Sequence, residues 1–204
     1  LPDGFVAQVC ERRSGPSEAL RVDGCPYVGF KAFDEGDAHL FFGRQKEILD
    51  ALACFDIRDR DRNRQVRWLE ISGGSGSGKS SLMRAGLLPL VDQGWLWPRT
   101  GFERWHRIGP VMPGERPLAM LAERLAHAFS DAGRTIEMSA VREHLEAGDD
   151  RRLAEWLRTR KPDDDTAFLL AVDQFEELFT VADPAERRRF DRLLAEALVD
   201  PDCP

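Results

Sequence analysis

The eight residues Gly73-Gly74-Ser75-Gly76-Ser77-Gly78-Lys79-Ser80 have types and spacing that could do chemistry, matching G-x-x-x-x-G-K-[ST] without a deviation. Gly73 and Gly78 allow backbone angles that a side chain would block, and Gly74 and Gly76 add further freedom. A loop of this kind curls until its N–H groups point inward at phosphate oxygens, and the helix that follows adds its positive N-terminal end. Lys79 would give a full charge to β and γ phosphates, and the Ser80 hydroxyl would ligate Mg²⁺. Ser81 is placed to reach an α phosphate.

Such a loop needs a second anchor for the cation, and a carboxylate at the end of a buried strand supplies it. Asp173 directly follows Phe168-Leu169-Leu170-Ala171-Val172, a continuous apolar run that fits a strand covered on both faces, as in a parallel sheet. Hydrolysis would also need a group to orient or deprotonate the attacking water. The next residue is Gln174, which cannot accept a proton at neutral pH; Glu176 and Glu177 follow. Glu176 is the first choice, with Glu177 left open. The expected catalytic set is therefore Lys79, Asp173 and Glu176, with Ser80 and Asp173 on the metal. Binding is the firmer expectation, and hydrolysis is expected to be slow.

The elements that must position these groups can be read from periodicity. Residues 66–72 alternate and run into the glycines, which predicts a strand; a helix should follow from about Ser80 to the neighbourhood of Pro89. Ile48, Leu52 and Phe55 recur at helical spacing after Arg44. A second strand is expected over 105–111 and an amphipathic helix from Pro117, with shorter helices over 141–147 and 152–160. Asp183, Pro184 and Glu186 announce a last helix with the spacing of a capping box. Strands alternating with helices indicate an α/β layered domain. Residues 1–25, rich in Gly, Pro, Ser and charge, read as a linker or the tail of an upstream domain, and 58–65 as a charged loop.

Composition narrows the function classes. Hydrophobic residues make up 42% of the 204, enough for a core, and no apolar run approaches the length of a membrane span. A net charge of −7 argues against strong nucleic-acid binding and against an anionic membrane surface. Cys10, Cys25, Cys54 and Cys203 lie far apart and read as reduced thiols of a cytoplasmic protein; the four histidines form no metal-binding pattern. A first residue of Leu rather than Met leads to the expectation of a piece of a longer chain.

Several blocks together carry a resemblance. They are Pro26-Tyr27-Val28-Gly29-Phe30-Lys31-Ala32-Phe33, Phe41-Phe42-Gly43-Arg44, the glycine loop with Ser81-Leu82-Met83-Arg84-Ala85-Gly86-Leu87-Leu88-Pro89, and Val172-Asp173-Gln174-Phe175-Glu176-Glu177-Leu178-Phe179-Thr180. The chain resembles the novel-STAND subgroup of STAND ATPases over roughly residues 25–200. The resemblance implies an ASCE-type P-loop NTPase fold, a parallel sheet flanked by helices, represented over 26–204 and cut before its last core strands. It implies that Phe42, Gly43 and Arg44 help hold base and ribose, and that Gln174 is normal for the subgroup. It implies ATP or ADP with Mg²⁺ as ligands and a signalling switch, in bacterial stress or defence, that self-associates. Effector and sensor modules would lie in the same longer chain. The rivals are a replication-initiator-like DNA-loading ATPase, a small-molecule kinase and a non-hydrolysing structural module.

Overall fold

The computed structural model describes residues 29, 31–55, 68–130, 135–200, 202 and 203. The expected linker over 1–25, the charged loop over 58–65, and Cys10 and Cys25 lie outside the described residues. The chain divides after Lys31, and the elements below belong to the unit Ala32–Pro204.

Two strands, β1 (Arg104–Val111) and β2 (Thr166–Val172), pair in parallel, with Trp105 opposite Ala167 and Ile108 opposite Leu170. Parallel neighbours require a crossover. Helices Pro117–Ala128, Met138–Glu146 and Arg152–Arg158 supply it. The ladder is irregular between Ile108 and Val111, where Gly109 has φ 100°. A Cβ built on Gly109 would stand 2.5 Å from the Ala171 carbonyl oxygen, so only glycine lets the two strands approach this closely. Past the irregularity Val111 pairs with Val172, and the Asp173 N–H donates to the Val111 carbonyl at 2.8 Å. Pairing thus reaches one residue beyond β2 and fixes the backbone of Asp173.

Side-chain alternation along β2 serves two hydrophobic clusters. Phe168, Leu170 and Val172 face one that includes Ile108, Leu121, Leu125, Trp156 and Phe190, whereas Leu169 faces the other. Phe129 seats the first cluster edge-on against Trp156, with centroids 4.7 Å apart. The second cluster gathers Phe41, Ile48, Leu52, Leu82, Ala85, Leu87 and Leu96. This two-sided covering is what the apolar run predicted. Arg107 of β1 joins the second layer by ion pairs to Glu35 at 2.8 Å and Asp92 at 3.2 Å.

The helix after the glycine loop is continuous but not uniform. It starts as α-helix at Lys79–Ser81, widens to a π-helix over Leu82–Leu87 and closes as α-helix at Leu88–Asp92. It passes through Pro89, where the sequence placed its end. Gly86 lies in the wide segment, and a Cβ there would meet Ile48 at 3.0 Å and the Phe41 ring at 3.3 Å. The missing side chain lets the helix Gln45–Ala53 pack directly on its backbone.

Two expectations need correction. Described residues 68–72 are not in a strand. The alternation is present, with Leu69 and Ile71 half-buried and Trp68, Glu70 and Ser72 exposed. A strand also needs a neighbour to bond to, and among the described residues the sheet has only β1 and β2. The second correction concerns Glu186. Asp183 does cap the helix Pro184–Val199, accepting from Ala185 and Glu186 N–H at 2.9 and 3.0 Å. Glu186 does not reach back to close a box: its carboxylate accepts from Leu118 N–H at 3.3 Å and from Arg142 at 3.2 Å. An ion pair to a neighbouring helix wins over a local bond. Periodicity did not announce the 3-10 turn Glu35–Leu40 or the short helices Trp97–Thr100 and Glu177–Thr180. Among the described residues no helix is long and apolar enough to cross a membrane.

Gly109→Ala should cost about 2–4 kcal/mol in chemical denaturation, since the new methyl meets backbone rather than a mobile side chain; a cost under about 0.5 kcal/mol would refute the close approach. Asp183 offers a pH test. The Glu186 N–H first, and then the Ala185 N–H, hold its carboxyl below the usual carboxylate range. A folded pKa depressed in this way gives stability that is present above the unfolded pKa and lost as pH falls through the folded one. Asp183→Ala should therefore lower the melting temperature at neutral pH, and the deficit should shrink as the medium is acidified below the carboxylate range. A deficit independent of pH would remove the charge from the explanation.

Candidate functional site

The loop before Lys79 takes its shape from glycine. Gly73, Gly76 and Gly78 have φ of 153°, 76° and 86°, a region that side chains disfavour. At Gly73 a Cβ would also stand 2.9 Å from the Ser77 hydroxyl oxygen. Ser77 N–H donates to the Gly74 carbonyl at 3.2 Å, folding Ser75 and Gly76 into a tight turn, and Leu82 N–H donates to Gly78 at 2.8 Å to begin the helix. Residues 73–77 are exposed. The Lys79 ammonium curls back onto the Gly73 and Gly74 carbonyls at 2.9 and 3.1 Å. Among the described residues its partners are neutral carbonyls, which leave its charge uncancelled.

Opposite the loop stands Asp173, 6% exposed. Its Oδ1 accepts from the Ser80 hydroxyl at 2.8 Å and from the Gln174 N–H at 3.0 Å. Its Oδ2 accepts from Arg84 Nε at 3.0 Å and forms an ion pair with a terminal nitrogen of the same guanidinium at 2.8 Å. Gln174 is the one non-glycine residue with positive φ, 55°, among those described. That turn aims its N–H at the carboxylate it follows. The residues fit a hard divalent cation, because a hydroxyl and a carboxylate oxygen 2.8 Å apart are the donors that Mg²⁺ accepts and can bridge.

Ahead of the loop, Gly43 with φ 85° turns the chain into the helix Gln45–Ala53, whose N-terminal flank is Arg44. Arg44 donates to the Ser77 carbonyl at 2.7 Å and pairs with Glu47 at 3.1 Å. The Glu47 carboxyl is held below its ordinary pKa, first by a backbone N–H and then by Arg44. The adjacent phenylalanines part company: Phe41 is buried and Phe42 is 57% exposed beside Gly43. Ser81 is buried, and its hydroxyl accepts from the Phe33 N–H at 3.0 Å. That bond ties the segment at Phe33 to the helix after the glycine loop.

The two candidate glutamates are treated differently. Glu177 accepts from the Gly114 N–H at 3.0 Å and is half-buried, whereas Glu176 is exposed. Near them Phe175 and Phe179 are exposed, with ring centroids 6.1 Å apart. A concave pocket of about 300 Å³, lined by Val91, Trp105, His106 and Thr166 among others, lies at the N-terminal ends of the strands. It is remote from Asp173 at the C-terminal end and takes no part in the site.

The structure therefore brings together Arg44, the loop from Gly73 to Ser80, and Asp173. It also adds Arg84, which the sequence did not single out. The available signal was its spacing: Arg84 follows Ser80 by four residues, which puts both on one helix face. Residues 26–203 match the family model described as Novel STAND NTPase 1. No curated protein and no solved structure matches the chain.

Asp173→Ala would leave the Arg84 guanidinium, 22% exposed, without its carboxylate. The expected cost is about 3 kcal/mol by urea titration. A loss below about 0.5 kcal/mol would mean that this ion pair does not hold helix and strand together.

Proposed function

The chain belongs to the Novel STAND NTPase 1 family, and from that premise we propose that residues 73–81 with Asp173 bind ATP or ADP together with Mg²⁺ in a signalling switch. The observation that carries this reading is the 2.8 Å hydrogen bond between Ser80 and Asp173, side chains 93 positions apart in sequence. It supports a single cation site shared by the loop and the strand end. A divalent cation bound there would supply positive charge to the β and γ phosphate oxygens.

Each residue has a role in this reading. The backbone N–H groups of Gly73, Gly74, Ser75, Gly76 and Gly78 would cradle phosphate oxygens, and that of Ser77 would join them by leaving the Gly74 carbonyl. Lys79 would leave its two carbonyls for the terminal phosphates, exchanging neutral partners for anionic ones. Ser81 would lie nearest the α phosphate. Phe42, Gly43 and Arg44 would flank ribose and base, supported by the bond from Arg44 to Ser77. Glu176, exposed where Glu177 is tied to Gly114, is the carboxylate available to orient water. With Gln174 next to Asp173, turnover would be slow.

The switch rests on the resemblance. ADP would hold a closed form, and a sensed signal would allow exchange, self-association and control of an effector module in the same longer chain, in the cytoplasm of a bacterium under stress or attack. To move such a balance from 1:99 to 99:1, the nucleotide and trigger must together favour one form by about 5.5 kcal/mol.

Thermal unfolding tests the binding. MgADP or MgATP at a thousandfold excess over Kd should add about 4 kcal/mol of stability and raise Tm accordingly. Lys79→Ala should abolish the shift. A melting curve unmoved by millimolar nucleotide, or a full shift in the variant, would overturn the reading.

A further inference from the structure

We infer that Arg84 is a resident counter-ion of Asp173 that disfavours a free divalent cation and so makes cation binding depend on nucleotide. This rests on the reading of Ser80 and Asp173 as the cation ligands. An ionised carboxylate offers about four lone-pair positions. On Asp173 three hydrogen bonds meet them, from Ser80 and Gln174 at Oδ1 and from Arg84 Nε at Oδ2, and a second Arg84 nitrogen forms a 2.8 Å ion pair with Oδ2.

These donors differ in how readily they yield to a cation. A hydroxyl gives up its bond by rotating its hydrogen and then presents a lone pair, so Ser80 can change from donor to ligand. The Gln174 N–H is backbone. Arg84 can neither lose its proton nor become a ligand. A dication bridging Ser80 and Oδ1 must therefore sit beside the guanidinium, and one that takes both oxygens must expel it. Either course places like charges close together in a site where Asp173 is buried. The terminal nitrogen of Arg84 that faces Asp173 also lies 3.5 Å from the Met112 sulfur, a second contact that steadies the guanidinium.

A nucleotide changes the balance. Its phosphates bring several negative charges, which offset the repulsion between guanidinium and dication and give Arg84 and Lys79 anions to face. The dication would then bind with the nucleotide rather than before it. Arg84 acts through Asp173 and is a positioning residue.

The test is equilibrium binding of Mn²⁺ followed by electron paramagnetic resonance, with and without ADP. Wild-type chain should bind Mn²⁺ weakly alone and far more tightly with ADP. Arg84→Gln should strengthen binding of Mn²⁺ alone by about tenfold, narrowing the gap, and Arg84→Lys, which keeps the charge, should stay near wild type. Unchanged or weaker binding of Mn²⁺ alone by folded Arg84→Gln would overturn the proposal. Should that variant not fold, the ¹⁵Nε resonance of Arg84 in the wild type decides: it should move on adding Mg²⁺ with ADP and hold still with Mg²⁺ alone, and the opposite pattern rejects the idea. Failure of wild type to bind ADP under any condition would instead sink the nucleotide reading itself.

Discussion

A buried carboxylate must be compensated from within, because taking it out of water costs on the order of several kcal/mol. In this chain that requirement falls on Asp173, and it shapes both layers of the fold. The donors that satisfy the side chain come from the helix after the glycine loop and from the backbone turn at Gln174. The residue itself is held by the strand that runs parallel to β1. Helix and strand end are therefore not free to drift apart, since separation would strand a charge on each side. The hydrophobic clusters on the two faces of the sheet set the general distance between layers, and the ionic contact sets the register.

Much of the site could be read in the sequence because its requirements are local. A loop that needs positive φ at Gly73, Gly76 and Gly78 has to spend glycines there. The apolar run before Asp173 declared a strand with two buried faces, and the alternation of Phe168 with Leu169 between clusters is that property in three dimensions. The Pro and Asp at the start of the last helix were equally plain, since capping involves neighbours in the chain.

What stayed hidden depended on partners far away. Arg84 has the look of any helix-surface cation until Asp173, 89 positions later, is placed beside it. Glu186 had the spacing for a reciprocal cap, but Arg142 and the Leu118 N–H claimed its oxygens instead. Residues 68–72 kept the in-and-out pattern of a strand while lacking a bonded neighbour among the described residues, because periodicity reports which face is covered and not what lies alongside. Glu177 likewise is tied to one remote N–H, that of Gly114, which nothing near it in sequence announces.

The bare backbone at Gly86 has a mechanical consequence. Ile48 and the Phe41 ring rest on it with no room for a methyl group between. Ile48 sits in the first turn of the short helix that Arg44 flanks, so the stand-off at residue 86 works as a shim of zero thickness under one end of a lever. The tip of that lever is the guanidinium on the Ser77 carbonyl. How far an arginine leans over the loop is thus gauged by an apolar contact one turn further along on the same face.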